Sequence, residues 1–149
     1  MLLGVDPGKK GGACVWDGER ALVCKYTTES DFLDLLETLG LETHAVVEDV
    51  PVGGFPGTTP PSSFKLGYNF GFHVGAIRAY NLPLTLVRPT KWQKGLGLRP
   101  KMGYSDRKRM LADVARRLYP EVYDLSGSPA KITQAVCDAV LIMDWGRGR

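Results

Sequence analysis

A chain of 149 residues, of which 44% are hydrophobic and 23% charged, has the size and composition of one globular domain, so residues 1–149 are predicted to form a single unit. No apolar run approaches the roughly 20 residues that cross a bilayer, and no secretory signal opens the chain, which argues against a membrane or secreted protein and favours a cytoplasmic one. A net charge of +3 is too small to identify a nucleic-acid partner by itself.

The first part of the chain predicts a strand meander followed by a helix and a returning strand. Short apolar runs separated by turn residues indicate three strands in succession, at 2–6, 12–16 and 21–26. Asp17-Gly18 supplies a tight hairpin turn, so these strands are predicted to be antiparallel. Apolar residues on one face predict a helix with Ser30 as its N-cap and Gly40 as its stop. The Val-rich run 44–50 then returns to the sheet as a crossover strand.

The second part predicts helices and loops around one further strand. Residues 51–61 contain four prolines and three glycines and are predicted to form a loop. The remaining predicted elements are a helix over 62–80, a strand over 84–87, a short helix over 89–92, a basic loop over 95–103, a helix capped by Ser105 and ended by Pro120, an irregular stretch over 121–129, and a last helix from 129 or 130 to 145. This order resembles that of an RNase H-like α/β fold, a mixed sheet of about five strands flanked by helices.

Three acidic residues lie within apolar segments of different predicted elements. Asp6 ends the first strand, Glu48 lies on the fourth, and Asp138 lies in the last helix. Each could be structural, as a turn former, an edge-strand acid or a helix-surface acid. A carboxylate in such surroundings is costly to desolvate unless a cation or a proton compensates it. Because metal-dependent phosphodiester hydrolysis requires carboxylates from separate elements to converge, the three together predict a metal-dependent nuclease.

Several segments then resemble one family. Gly4-Val5-Asp6-Pro7-Gly8 with Gly11-Gly12 resembles the opening of RuvC-type Holliday junction resolvases, and Val47-Glu48-Asp49-Val50 resembles their second acidic strand. Ser63 to Gly67, leading into a helix with glycines four residues apart, is similar to the family's dimerisation helix. Other similarities, to compact RuvC-like proteins of bacteriophages, lie at Arg88 to Trp92, at Ser105 and at Arg116 to Pro120, and Asp138-Ala139 completes the set.

This resemblance implies a homodimeric endonuclease that nicks opposed strands of four-way DNA junctions in a bacterial or phage-infected cell. The dimer would form through the helix from Ser62 to Tyr80, and two-fold symmetry would place two identical sites on equivalent strands. Asp6, Glu48 and Asp138 would hold two Mg²⁺ ions per site, for which Mn²⁺ could substitute, and no small-molecule cofactor is expected.

The sequence departs from the family pattern just before Asp138. Family members usually carry a second acid or a histidine three or four residues earlier, one helical turn away, where this chain has Ala135 and Gln134. Gln134 offers only a neutral carbonyl oxygen, so a fourth ligand is absent, is water, or comes from elsewhere. Lys131, one turn further back, is expected to approach the attacking water or the phosphate. A site of three carboxylates is therefore predicted, with Lys131 and Gln134 as catalytic support.

Positive charge is concentrated in the second half of the chain. Between Arg88 and Arg117 there are ten Lys or Arg residues and only two Asp, which suits either a phosphate backbone or a solvated helix face. Phe55, on a Gly/Pro loop, is predicted to stack on an unpaired base at the junction, whereas Trp92 is predicted to lie in the core. The basic residues predicted to contact DNA are Arg88, Lys91, Lys94, Arg99, Lys101, Arg107 and Lys108.

Other functions stay open at this point. The missing acid near Asp138 allows a junction-binding protein with impaired catalysis, which would bind without cutting. An RNase H-like nuclease that acts on flaps or on RNA would carry the same carboxylates. An actin-like phosphotransferase could use the hairpin that follows Asp6, but the chain is too short for the two lobes of its nucleotide cleft.

Overall fold

The computed structural model describes residues 1–8, 11–50 and 57–148. Within these ranges, seven strands form one mixed sheet: β1 Leu2–Val5, β2 Ala13–Trp16, β3 Ala21–Cys24, β4 His44–Glu48, β5 Leu84–Val87, β6 Val122–Tyr123 and β7 Pro129–Ala130. Their order across the sheet is β5-β4-β1-β2-β3-β6-β7. Strands β1, β2 and β3 form the predicted antiparallel meander, and β4 pairs in parallel with both β1 and β5. The N-terminal strand therefore lies near the middle of the sheet.

Helices cover both faces of the sheet and divide the core in two. The described residues form α1 Glu29–Glu37, α2 Pro60–Ala79, α3 Pro89–Trp92, α4 Tyr104–Leu118 and α5 Cys137–Arg147. Helices α1 and α2 bury Phe32 and Ile77 against Leu3 and Val47 on one face. Helices α3, α4 and α5 pack against the other face. No helix in these ranges is long and apolar enough to cross a membrane.

Three predicted helix starts are displaced in the structure. Helix α2 begins at Pro60 rather than at Ser62, within the segment predicted as a loop, because proline fits the first turn of a helix, where its missing N–H is not needed. Helix α1 begins after Thr28 rather than after Ser30, because the Thr28 hydroxyl accepts from the Asp31 backbone N–H while the Asp31 carboxylate accepts from the Thr28 backbone N–H. This reciprocal capping box satisfies two backbone donors that Ser30 alone could not. Helix α4 begins at Tyr104 with Gly103 at its N-cap, so Ser105 lies inside the first turn.

The segment before the last helix was predicted incorrectly. In place of an irregular stretch and a helix from 129 or 130, the chain forms the short antiparallel strands β6 and β7 and then a turn, and α5 begins only at Cys137. The Asp124 carboxylate holds the connecting turn by accepting hydrogen bonds from the backbone N–H groups of Ser126 and Ser128, at 2.9 and 3.0 Å. Pro129 cannot donate to a further strand, which suits its position on the outer strand β7.

Helix α5 lies unusually close to the centre of the sheet. A Cβ atom on Gly4 in β1 would stand 2.4 Å from the Ala139 carbonyl oxygen and 2.5 Å from the Met143 backbone nitrogen. A Cβ atom on Gly12 would stand 2.8 Å from the Ala135 carbonyl oxygen. These distances are far below van der Waals contact. Glycine at position 4 therefore allows the backbone of α5 to rest on β1, and glycine at position 12 allows the turn before α5 to approach the start of β2.

We expect Gly4→Ala to destabilise the fold by about 1–3 kcal/mol, because the added methyl group meets backbone atoms that cannot turn away. Urea denaturation followed by circular dichroism measures the change. Gly103→Ala is the matched control, since a Cβ atom there comes no closer than 4.0 Å to another residue and should cost less than about 1 kcal/mol as a change of N-cap. Equal losses in the two variants would contradict the close approach of α5.

Candidate active site

Three carboxylates meet at one end of the sheet. Asp6 directly follows β1, and Glu48 is the last residue of β4, the parallel neighbour of β1. Asp138 lies in the first turn of α5, which packs across β1, and is only 7% exposed. The structure thus brings together the three acidic residues predicted from the sequence. Asp49, the next residue after Glu48, instead faces Arg88, with 3.7 Å between its carboxylate and the guanidinium.

Burial and neighbouring negative charge raise the pKa of two of these carboxylates, Asp6 and Glu48. Burial, followed by the negative charge of Asp138, raises the pKa of Asp6 to about 6, although a hydrogen bond from the Gly8 backbone N–H opposes the shift. Burial and the charge of Asp6 raise the pKa of Glu48 to about 7. The three groups therefore form one electrostatic unit in which added positive charge is favourable.

Lys108 supplies positive charge to this unit from α4. Its ammonium group donates a hydrogen bond to Asp138 Oδ2 and forms an ion pair with it. Burial by itself would lower the pKa of Lys108, but the charges of Asp138 and Asp6 outweigh burial and raise it. The N-terminal dipole of α5 adds a second favourable interaction with Asp138. Lys108 was predicted to contact DNA; the structure places it inside the group of carboxylates.

Two aromatic side chains donate hydrogen bonds to the acidic residues of the site. The Tyr26 hydroxyl donates to the Asp6 backbone carbonyl at 2.5 Å, and its ring packs against Phe32 and His73. The Trp92 indole N–H donates to Glu48 Oε2 at 2.9 Å. The sequence predicted Trp92 as a core residue and did not single out Tyr26. Each partner is distant along the chain, by 20 and 44 residues, so no local spacing could reveal either contact.

Six of the seven basic residues predicted to contact DNA are exposed, and two of them lie at the end of the sheet that carries Glu48. Helix α3 follows β5, whose Val87 pairs with Glu48, so Arg88 and Lys91 extend from the same end of the sheet. Arg107 reaches from α4 to Gln93 and donates a hydrogen bond to its side-chain oxygen, which links α4 to the end of α3. The exposed members of the predicted set are Arg88, Lys91, Lys94, Arg99, Lys101 and Arg107. We call these six residues the basic surface.

The remaining predicted residues are not joined to the three carboxylates. Lys131 and Gln134 are exposed in the turn that precedes α5, so Gln134 does not lie one helical turn before Asp138 as predicted. Neither side chain has a hydrogen bond or an ion pair with the carboxylates among the described residues, and their catalytic support stays a prediction. Phe55 lies outside the described residues, and its role as a wedge also stays a prediction.

The donor set suits a hard divalent cation, which prefers carboxylate oxygens. Asp6, Glu48 and Asp138 provide such oxygens from three elements, and the raised pKa values of Asp6 and Glu48 show that a cation would relieve repulsion. Within the described ranges, however, no three His, Cys, Asp or Glu side chains are close enough to form a preassembled metal cluster. The carboxylates are therefore electrostatically coupled without forming a preassembled ligand shell in the part of the chain that the structure describes.

Comparison with known proteins identifies the fold. No protein-family model and no curated protein sequence matches the chain. The Thermus thermophilus RuvC structure superimposes with a TM-score of 0.59 and 16% identity, over 97% of this chain and 91% of that one. T. thermophilus RuvC in complex with a Holliday junction substrate gives a TM-score of 0.62 and 16% identity, over 97% and 90% of the two chains. The chain has a RuvC-like fold.

The RuvC-like fold confirms the α/β architecture expected from the sequence motifs. Its similarity to the Thermus structures covers nearly the whole of both chains. Neither of these structures comes from a bacteriophage, so the predicted similarity to phage proteins stays a prediction.

We expect Asp6→Asn to stabilise the metal-free protein at pH 8 by about 1–3 kcal/mol, because it removes a carboxylate whose charged form the fold disfavours. A raised pKa means that the folded state binds more protons than the unfolded state. Stability therefore falls as pH rises from the ordinary values of 3.8 and 4.5 through the raised values of about 6 and about 7 for Asp6 and Glu48.

Urea midpoints measured in EDTA from pH 4 to pH 8 check this expectation. The two proteins should be similar at low pH and diverge as pH rises, with the variant more stable. Asp106→Asn, at an exposed carboxylate, should leave the curve of the parent protein unchanged. A variant less stable than the parent at pH 8 would contradict the mutual repulsion described above.

Proposed function

We propose that this chain is a structure-selective DNA endonuclease that nicks opposed strands of four-way junctions. The observation that carries the proposal is the meeting of Asp6, Glu48 and Asp138 at one end of the sheet, where α3 and its N-cap also present Lys91 and Arg88 of the basic surface. The RuvC-like fold supports it, because the T. thermophilus protein of that fold was solved in complex with a Holliday junction substrate.

Each part of the site has a proposed task. Asp6, Glu48 and Asp138 would hold Mg²⁺ ions, two per site, with Mn²⁺ as a substitute. Bound metal would activate water and stabilise the charge that develops on the scissile phosphate. Tyr26 would hold the backbone at Asp6, and Lys108 would offset the carboxylate charge when no metal is bound. The basic surface would hold phosphates of the junction arms without reading base sequence.

Symmetric cutting of a four-way junction needs two sites, and helix α2 offers a surface for a second copy of the chain. Phe64 and Tyr68 are 75% and 57% exposed on this helix. Gly67, Gly71 and Gly75 follow at four-residue spacing, and a Cβ atom on any of them would meet nothing within 4 Å. Small residues beside exposed aromatic rings allow close approach of a second helix. We therefore propose a homodimer through α2, with one site facing each of two equivalent strands.

We expect the protein to place paired, symmetric nicks in a synthetic immobile four-way junction with Mg²⁺ and none with EDTA. Asp6→Asn should reduce cutting to background while junction affinity in EDTA persists, because the change removes charge and keeps the side-chain size. Asp106→Asn is the control that should cut normally. Denaturing gels read the nicks, and matched duplex, flap and RNA–DNA hybrid substrates test selectivity. Preferred cutting of flaps or hybrids would overturn the junction proposal in favour of another RNase H-like nuclease.

A second candidate is a junction-binding protein with impaired catalysis. The observation that favours it is the ion pair between Lys108 and Asp138. A cation from the protein itself then occupies part of the place where metal would bind. Tight junction binding with no Mg²⁺-dependent nicks would establish this candidate.

The dimer is tested by a charged side chain on the proposed contact. We expect Gly71→Arg to convert a dimer into a folded monomer, because the exposed helix face tolerates the side chain but a facing helix does not. Leu41→Arg is the control, since Leu41 is 71% exposed and belongs to the connection between α1 and β4 rather than to α2. Sedimentation equilibrium measures the mass, and circular dichroism verifies the fold. A parent protein that sediments as a monomer would contradict the proposal.

A further inference from the structure

Trp92 is a buried residue that donates a hydrogen bond to one acidic residue of the site. It belongs to the four-residue helix α3, and only 2% of its surface is exposed. Its indole N–H donates to Glu48 Oε2 at 2.9 Å. An indole has one N–H donor and no acceptor. Trp92 can therefore hold only a group that accepts a hydrogen bond, which here is the Glu48 carboxylate. It is also the one hydrogen bond that the Glu48 carboxylate receives from the described part of the chain.

The indole is fixed more firmly than the carboxylate that it contacts. Trp92 is packed in the same buried cluster as Val87, Leu111 and Ile142, so its ring cannot follow a moving partner. The backbone beyond Glu48 is held as well, because the Asp49 N–H donates to the Val87 carbonyl at 2.8 Å. The Glu48 side chain between these two points still has rotatable bonds. A donor on Oε2 therefore restricts the carboxylate to a small range of orientations.

Trp92 also lies on the element that displays part of the basic surface. Lys91, its neighbour in α3, is exposed, and Lys94 is exposed two residues after Trp92. The same short segment thus presents cations outward and the indole inward. Its outer side is suited to phosphate, and its inner side contacts Glu48.

We propose that Trp92 is a positioning residue that holds Glu48 through Oε2 and leaves Oε1 to bind a divalent cation. This inference rests on the proposed function, in which Glu48 is a metal ligand. Groups that hold a metal ligand by a hydrogen bond typically contribute about 10–100-fold to metal affinity or activity. Loss of the indole N–H should therefore weaken metal binding and leave junction binding intact.

The test compares Trp92→Phe with Trp16→Phe. Phenylalanine keeps an aromatic ring in the core but lacks the donor. Trp16 is a matched control because its ring contacts Arg147 and Tyr119 rather than a residue of the site. Because Trp92→Phe also leaves a small void, a third protein carries benzothienylalanine at position 92. That residue matches the tryptophan ring in shape and replaces its N–H by sulfur, so it remains informative if the Phe variant fails to fold.

Three measurements separate positioning from general damage. Calorimetric titration of DNA-free protein with Mn²⁺ gives metal affinity, fluorescence anisotropy in EDTA gives junction affinity, and cleavage rates over a range of Mg²⁺ concentrations give the metal requirement. We expect both position-92 replacements to weaken Mn²⁺ binding and raise the Mg²⁺ requirement by about 10–100-fold. Junction affinity and the rate at saturating Mg²⁺ should stay close to those of the parent protein.

The outcomes distinguish this inference from the function on which it rests. A parent protein that binds no Mn²⁺ overturns the metal site and the role of Trp92 together. If the parent protein binds Mn²⁺ and the folded benzothienylalanine protein binds it equally well, only the role of Trp92 is overturned. Weakened junction binding in EDTA, or a rate that saturating Mg²⁺ does not restore, would also overturn positioning, since either result indicates wider damage.

Discussion

The contact between helix α5 and strand β1 determines where the site forms. Gly4 allows the helix backbone to approach to a distance that no side chain would permit, with only 2.4 Å between a hypothetical Cβ atom and the Ala139 carbonyl oxygen. Asp138 immediately precedes Ala139, and Asp6 lies two residues after Gly4. The same contact that packs the helix therefore brings these two acidic residues together. A bulkier residue at Gly4 would separate the carboxylates even if every element still formed.

The site also illustrates how a protein tolerates a group of like charges. Burial and mutual repulsion raise the pKa of Asp6 and Glu48, which is unfavourable for the metal-free fold at neutral pH. Four compensations are present: the ion pair from Lys108, the dipole of α5 on Asp138, the Gly8 backbone N–H hydrogen bond to Asp6 and the Trp92 hydrogen bond to Glu48. None of them removes the carboxylates, so the group retains negative charge that a bound cation would offset.

The main features of the fold and the three acidic residues could be predicted because their signals are local. The Asp17-Gly18 turn, the apolar strand segments and the acid at each strand end are visible within a few residues. The strands β6 and β7 were missed because each has two residues, too few for a periodic pattern, and their turn depends on the side chain of Asp124. Thr28 was overlooked as a helix cap because Ser30 fits the same preference.

The contacts that organise the site could not be predicted from local patterns. Lys108 is one of many basic residues in its stretch, and nothing in the sequence distinguishes the one that turns inward to Asp138. Trp92 and Tyr26 contact partners that only the assembled sheet brings near. The chain thus shows the types of its functional side chains, whereas their pairing depends on tertiary packing.

The position of α5 has a consequence for synthesis on the ribosome. Asp6 and Glu48 emerge early, and their strands can pair before the second half of the chain exists. Asp138 joins them only after α5 has left the exit tunnel and packed on β1, because this helix follows every strand of the sheet. The nascent chain thus carries an incomplete set of carboxylates until α5 has emerged. The third carboxylate of the group is thus added last, when the strands that carry the other two are already in place.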